Sequence, residues 1–175
     1  MQGQKVYLAE LREGDAQHFA EQQWDKMFIE GLSEDVFHPF QAADWQKMFG
    51  DASSNEQFNF TIRNVADDGL IGFVSLNDVL LKNRRAELGI GILSAKNRGK
   101  GYGKEALDLL LEFAFNHLGL HKVNLSVHAY NKGAITLYEK LGFVKEGTNR
   151  KAIFKDGFWM DQYNYGLLAD EWRNK

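Results

Sequence analysis

The sequence predicts a mixed α/β fold. The spacing of apolar residues is helical near the amino end, and from Phe58 it changes to strict alternation. After a glycine-rich segment, helical and strand patterns alternate to the end. Strands in succession call for antiparallel hairpins, and the later strand–helix–strand calls for a parallel crossover. The expected order is strand, two helices, three strands, helix, strand, helix, two strands. That is a central mixed, mostly antiparallel sheet of about seven strands flanked by about four helices.

Val6 and Leu8 alternate with polar neighbours in a short first strand. Asp15 is placed to cap a helix whose apolar positions run through Phe19, Ala20, Met27 and Phe28. The stretch from Glu30 to Phe40 reads as a loop, and Ala42, Trp45 and Phe49 mark a short helix. Phe58, Phe60 and Ile62 alternate as a half-buried strand, Asp67-Asp68-Gly69 turns the chain, and Leu70 to Asn77 returns. Ala86 to Leu93 is the next strand. Leu107, Leu110, Leu111, Ala114 and Leu118 share one helical face behind the glycine-rich loop. Val123 to Ala129 is a strand. Ala134, Leu137, Tyr138 and Leu141 form a helical stripe ended by Gly142. Strands at about Phe143 to Thr148 and Phe158 to Leu168 close the order.

Composition narrows the function classes. A chain of 175 residues with 44% hydrophobic and 26% charged residues is ordinary globular material. With one proline and no low-complexity tract, residues 1–175 read as a single domain. Net charge −3 gives no general pull toward nucleic acid or anionic membrane. The absence of cysteine excludes disulfides, thiolate metal sites and a cysteine nucleophile. His18, His38, His117 and His121 lack ligand spacing with carboxylates, so no metal is expected. No apolar stretch approaches the ~18 residues of a membrane helix, and the amino end lacks a signal-like apolar core. Asn59-Phe60-Thr61 and Asn124-Leu125-Ser126 are then chance sequons, and a cytoplasmic location is expected.

The most informative segment runs from Leu88 through Arg98-Gly99-Lys100-Gly101-Tyr102-Gly103-Lys104 into a helix. Glycines let several N–H groups converge, and a helix start adds positive potential. Arg98, Lys100 and Lys104 add charge, so the segment reads as a phosphate or pyrophosphate site. A P-loop fails because Arg98 stands where its first glycine belongs and Glu105 where its Ser/Thr belongs. The dinucleotide fingerprint fails because Gly99, Gly101 and Gly103 are spaced by two.

Arg98-Gly-Lys-Gly-Tyr-Gly resembles the R/Q-x-x-G-x-G/A loop of the GNAT superfamily of N-acetyltransferases. Downstream, Asn131-Lys-Gly-Ala-Ile-Thr-Leu-Tyr-Glu-Lys-Leu-Gly-Phe143 resembles the second signature of that family. The stretches Asn77 to Ile90 and Phe154 to Asp161 resemble the spermidine and ribosomal-protein N-terminal acetyltransferase branch. The resemblance implies acetyl-CoA as donor cosubstrate, a primary amine (a polyamine or a protein or peptide amino terminus) as acceptor, and direct transfer in a ternary complex. It implies a parallel strand pair that splays to admit the pantetheine arm. The loop from Arg98 to Lys104 would hold the pyrophosphate. Backbone N–H groups of Ile92 and Leu93 would face the thioester and the arm, and Asn131 would bond the coenzyme or cap its helix.

Tyr138 matches the family tyrosine that protonates the departing thiolate. On spacing alone it would be an ordinary core residue. Glu87 and His128 are the candidate bases, with water as an intermediary. Glu87 can equally be a surface carboxylate, and His128 a structural histidine. Glu30, Glu34, Asp35 and Trp159 are the candidate acceptor contacts, although such charges often only solvate a loop. Gly89 and Gly91 suit either close ligand approach or a bulge. The family and the aromatic ending Phe158 to Tyr165 suggest a homodimer or higher oligomer. A coenzyme A-binding sensor without catalysis is the alternative, against which Tyr138 argues.

Overall fold

The computed structural model describes residues 1–32, 36–50 and 56–174. Its strands are β1 (Val6–Ala9), β2 (Phe58–Asn64), β3 (Leu70–Leu80), β4 (Arg85–Ile92), β5 (Lys122–His128), β6 (Val144–Lys155) and β7 (Phe158–Leu168). Its helices are α1 (Asp15–Gln22), α2 (Lys26–Leu32), α3 (Ala42–Gly50), α4 (Tyr102–Glu112), α5 (Lys132–Lys140) and α6 (Ala169–Arg173). The seven strands follow the order β1-β2-β3-β4-β5-β7-β6. The β4–β5 pair is parallel, while β1–β2, β2–β3, β5–β7 and β6–β7 are antiparallel. The mixed, mostly antiparallel architecture is therefore as the sequence predicts.

The chain forms two compact units, Met1–Asn77 with Gly89–Leu111, and Asp78–Leu88 with Glu112–Lys175. In the first unit, Phe19, Phe28, Trp45, Phe73 and Leu93 make an aromatic-rich core. Phe19 stacks on Trp45 with ring centroids 4.7 Å apart. Two expectations change here. The single amino-terminal helix is two, because Asp25 accepts the Phe28 N–H at 3.1 Å and so caps a new start at Lys26. Glu30 to Leu32 therefore lies on α2 and not in a loop. The Gln23 side chain holds the returning chain from both sides, donating to the Phe40 carbonyl and accepting the Phe40 N–H.

Asp15 is also not the cap of α1. Gly14, at φ 85°, takes that position, and the Asp15 carboxylate is buried against Arg63 at 2.5 and 2.6 Å. A buried carboxylate needs such a partner, and the same group also accepts the Arg12 N–H at 2.7 Å just ahead of α1.

In the second unit, β5 supplies Val123, Leu125 and Val127 to a core with Tyr138, Leu141, Phe143, Tyr165 and Leu167. Gly142, at φ 84°, ends α5, with the Phe143 N–H returning to the Tyr138 carbonyl at 3.0 Å. Strand β6 runs to Lys155, well past Thr148, with register shifts between Lys145 and Gly147 and between Asn149 and Ile153. Helix α6, absent from the predicted order, begins where Glu171 accepts the Leu168 N–H at 2.9 Å.

Candidate functional site

The glycine-rich loop belongs to the first unit. Strand β4 ends at Ile92, a 3-10 turn covers Ala95–Asn97, and α4 opens at Tyr102. Gly99 (φ 72°) and Gly101 (φ 87°) both adopt the left-handed conformation that glycine tolerates without cost. The first hydrogen bond of α4 runs from the Glu105 N–H to the Gly101 carbonyl at 3.1 Å. The amides of Tyr102, Gly103 and Lys104 precede that bond, so they are donors at the positive end of the helix. Among the described residues nothing lies within 4 Å of the position a Cβ would take at Gly99, leaving room beside those donors. Loop and helix start fit a phosphate group on these grounds.

The cations of the loop do not all serve it. The Arg98 guanidinium pairs with the Asp25 carboxylate, and its Nη2 also donates to the Ile92 carbonyl at 3.0 Å. Lys104 pairs with Asp108 at 2.7 Å. Lys100 instead offers its carbonyl to the Lys5 ammonium at 3.1 Å. Of the two amides expected to face a thioester, that of Leu93 donates to the Ile71 carbonyl at 3.0 Å. A strand neighbour already uses that donor. The glycines of β4 are explained by packing. A Cβ at Gly91 would stand 2.5 Å from Phe73 and 2.7 Å from Phe28, and one at Gly89 would stand 2.6 Å from the Ser75 hydroxyl.

Glu87, His128, Asn131 and Tyr138 belong to the second unit. Tyr138 is buried on α5, edge-on to Phe143 at 5.9 Å, and burial pushes its phenol up to about 12. Its proton is therefore retained throughout the neutral range, as an acid requires and a base does not. The Asn131 carboxamide accepts the Ala134 N–H at 3.2 Å and caps α5. His128 ends β5 with Nδ1 2.8 Å from the Tyr130 hydroxyl, and the Lys155 ammonium lies 4.6 Å from the Tyr130 ring centroid. Lys155 escaped the sequence reading because only the pairing of β6 with β7 brings the end of β6 over the Tyr130 ring.

Glu87 is half-buried on β4 and pairs in register with Asn124. The paired residues run only from Arg85↔Lys122 to Glu87↔Asn124, while β4 continues to Ile92 and β5 to His128. Asn124 and His128 are four positions apart on β5, roughly 13 Å at strand rise. Glu87 and His128 therefore cannot share one proton directly.

Of the acceptor candidates, Glu30 is half-buried on α2, with Lys26 at 3.8 Å. Glu34 and Asp35 lie outside the described residues. Trp159 stands near the end of the β6–β7 hairpin, exposed, its ring 5.1 Å from that of Phe154.

Residues 5–144 match the family model described as Acetyltransferase (GNAT) domain. The chain belongs to this acetyltransferase family. It is 35% identical over 116 residues to the SPbeta prophage-derived uncharacterized N-acetyltransferase YokL of Bacillus subtilis, covering 66% of this chain and 64% of that one. It is 32% identical over 121 residues to the spermidine N(1)-acetyltransferase of Vibrio cholerae, covering 69% of each. The crystal structure of spermidine N-acetyltransferase from Vibrio cholerae in complex with CoA and spermine superposes with a TM-score of 0.83 at 26% identity, over 97% of this chain and 99% of that one. The GNAT fold predicted from the two motifs is thus shared with a solved spermidine acetyltransferase. Among the described residues no helix is long and apolar enough to cross a membrane.

Proposed function

We propose that residues 1–175 act as one acetyltransferase domain that moves an acetyl group from acetyl-CoA to a primary amine by direct attack in a ternary complex. The observation that carries this reading is that each of the two family motifs has a fitting local structure: a left-handed Gly99/Gly101 loop at the start of α4 in the first unit, and a buried, protonated Tyr138 on α5 in the second. When bound, acetyl-CoA supplies the acyl group already activated as a thioester. The amides of Tyr102, Gly103 and Lys104 hold the pyrophosphate. The ammonium of the acceptor loses its proton to Glu87 or His128, directly or through water, and the Tyr138 hydroxyl returns a proton to the leaving sulfur. Asn131 caps α5 and so fixes the approach of Tyr138.

A polyamine is the favoured acceptor over a peptide amino terminus. Relatives in Vibrio cholerae and Escherichia coli are named spermidine N(1)-acetyltransferases, which supports this choice. The test is thiol release from acetyl-CoA with spermidine, spermine, short peptides and an aminoglycoside, in wild type and Tyr138→Phe. Release with a polyamine that falls about 10²- to 10⁴-fold in the variant, with coenzyme A affinity unchanged, supports enzyme and acid together. Equal turnover in the two removes Tyr138 from the chemistry. Coenzyme binding with no acceptor on the panel would favour the sensor alternative.

A further inference from the structure

The amino-terminal segment makes a tight turn. The Gly3 N–H donates to the Val6 carbonyl at 2.9 Å, and Gln2 pairs back on Tyr7. Gln4 and Lys5 form the tip of that turn. Their amides are held by one carboxylate, because Glu105 in the first turn of α4 accepts the N–H of Gln4 and that of Lys5, the latter at 3.0 and 3.2 Å. The Lys5 carbonyl accepts the Val65 N–H at 2.9 Å. The backbone of Lys5 is thus fixed on both sides by groups distant in sequence.

The Lys5 side chain consequently has a defined direction. Its ammonium donates to the Lys100 carbonyl at 3.1 Å and stands 3.3 Å from the position a Cβ would take at Gly101. A cavity of about 630 Å³ opens there, lined by Lys5, Gly101, Lys104, Glu105 and Asp108 among others. The carboxylates on its wall are engaged, Glu105 by the two amides and Asp108 by Lys104. Arg98 faces Asp25. Among the described residues, neither Lys5 nor Lys100 pairs its ammonium with a carboxylate at this loop, and that of Lys5 is the one placed beside Gly101.

We propose that Lys5 is a phosphate-binding residue of the coenzyme site, supplying from the amino-terminal turn the charge that Arg98 and Lys104 give to carboxylates. This rests on the acetyl-CoA reading above and adds to it a residue outside both family motifs. Coenzyme A carries two kinds of phosphate, the pyrophosphate and the ribose 3′-phosphate, and either can take the ammonium. One hydrogen-bonded charge of this sort corresponds to about a five- to tenfold change in affinity.

The experiment is calorimetric titration of the full chain with coenzyme A and with 3′-dephospho-coenzyme A, for wild type, Lys5→Met and Lys5→Arg. Lys5→Met is expected to bind coenzyme A about five- to tenfold more weakly and Lys5→Arg to restore most of the loss. The thermal midpoint should move little, because Glu105 and Val65 hold backbone groups of Lys5 and its side chain makes one exposed hydrogen bond, to the Lys100 carbonyl. If Lys5 meets the 3′-phosphate, the loss disappears with the dephospho form. If it meets the pyrophosphate, the loss persists. A wild-type chain that binds coenzyme A, with Lys5→Met binding equally well, overturns the role of Lys5 and leaves the acetyl-CoA reading standing. A wild-type chain that binds neither form overturns that reading, and Lys5 with it.

Discussion

Arg98 and Asp25, far apart in sequence, form a two-pronged ion pair in which the same carboxylate that starts α2 receives the guanidinium of the glycine-rich loop. The Arg98 fork also closes on the Ile92 carbonyl at the end of β4. One side chain therefore ties a strand end and a helix start together within the first unit. Both partners are largely buried, with side-chain exposures of 25% and 21%, so the pair is weakly screened by solvent.

Asp25→Asn keeps an oxygen for the Phe28 amide and removes the charge. It is expected to lower stability by about 2 kcal/mol, read as a shift in the urea midpoint. The Arg98 hydrogen bond holds the Asp25 carboxyl below its ordinary value. The sign follows from linkage. The pair contributes fully above the unfolded carboxyl pKa of ~3.9 and is lost as pH falls through the lowered folded value. The difference between wild type and Asp25→Asn should accordingly shrink on acidification. A difference that stays constant down to full protonation would show that the ion pair is not its source.

Tyr138 and Tyr165 should titrate late. Burial pushes both phenols up to about 12, with the Glu139 carboxylate adding to the effect at Tyr165. An absorbance titration of tyrosinate should show a late phase near pH 12. Tyr138→Phe and Tyr165→Phe should each remove part of the late phase. Because the folded values are raised, the stability they confer is complete below an unfolded pKa of ~10 and is lost as pH rises toward about 12. A titration with no phase near pH 12 would contradict this assignment.

Gly91→Ala should destabilise by about 1–3 kcal/mol, since its methyl would press on Phe73 and Phe28 in the core. Pairing it with Phe28→Leu should recover part of that loss, measurable as coupling in a double-mutant cycle. Additive effects would mean that Gly91 answers to something other than these rings.

How far the residues announced this fold follows from where its constraints lie. Helices α4 and α5 were legible because their apolar stripes are local, and so was the turn at Gly142. The break between α1 and α2 was not, because Asp25 makes it together with a residue from the glycine loop, and Gln23 with Phe40. Strand β6 was read short because nearly every residue from Val144 to Lys155 is exposed, so no alternation marks it. The glycine loop and Tyr138 were legible through their motifs. The engagement of the Leu93 amide with Ile71 and the arrival of Lys5 beside Lys100 depend on strand pairing and a distant helix, and neither leaves a local trace.

The grip of Glu105 on the amides of Gln4 and Lys5 also sets an order in time. The contact spans 100 residues, so the opening turn cannot settle until most of the chain exists. At ~5–20 residues per second of synthesis, the first residues wait about 5–20 s for their carboxylate. Contacts of such separation also slow refolding of the finished chain. Native placement of the amino-terminal turn thus waits on a carboxylate from the middle of the chain.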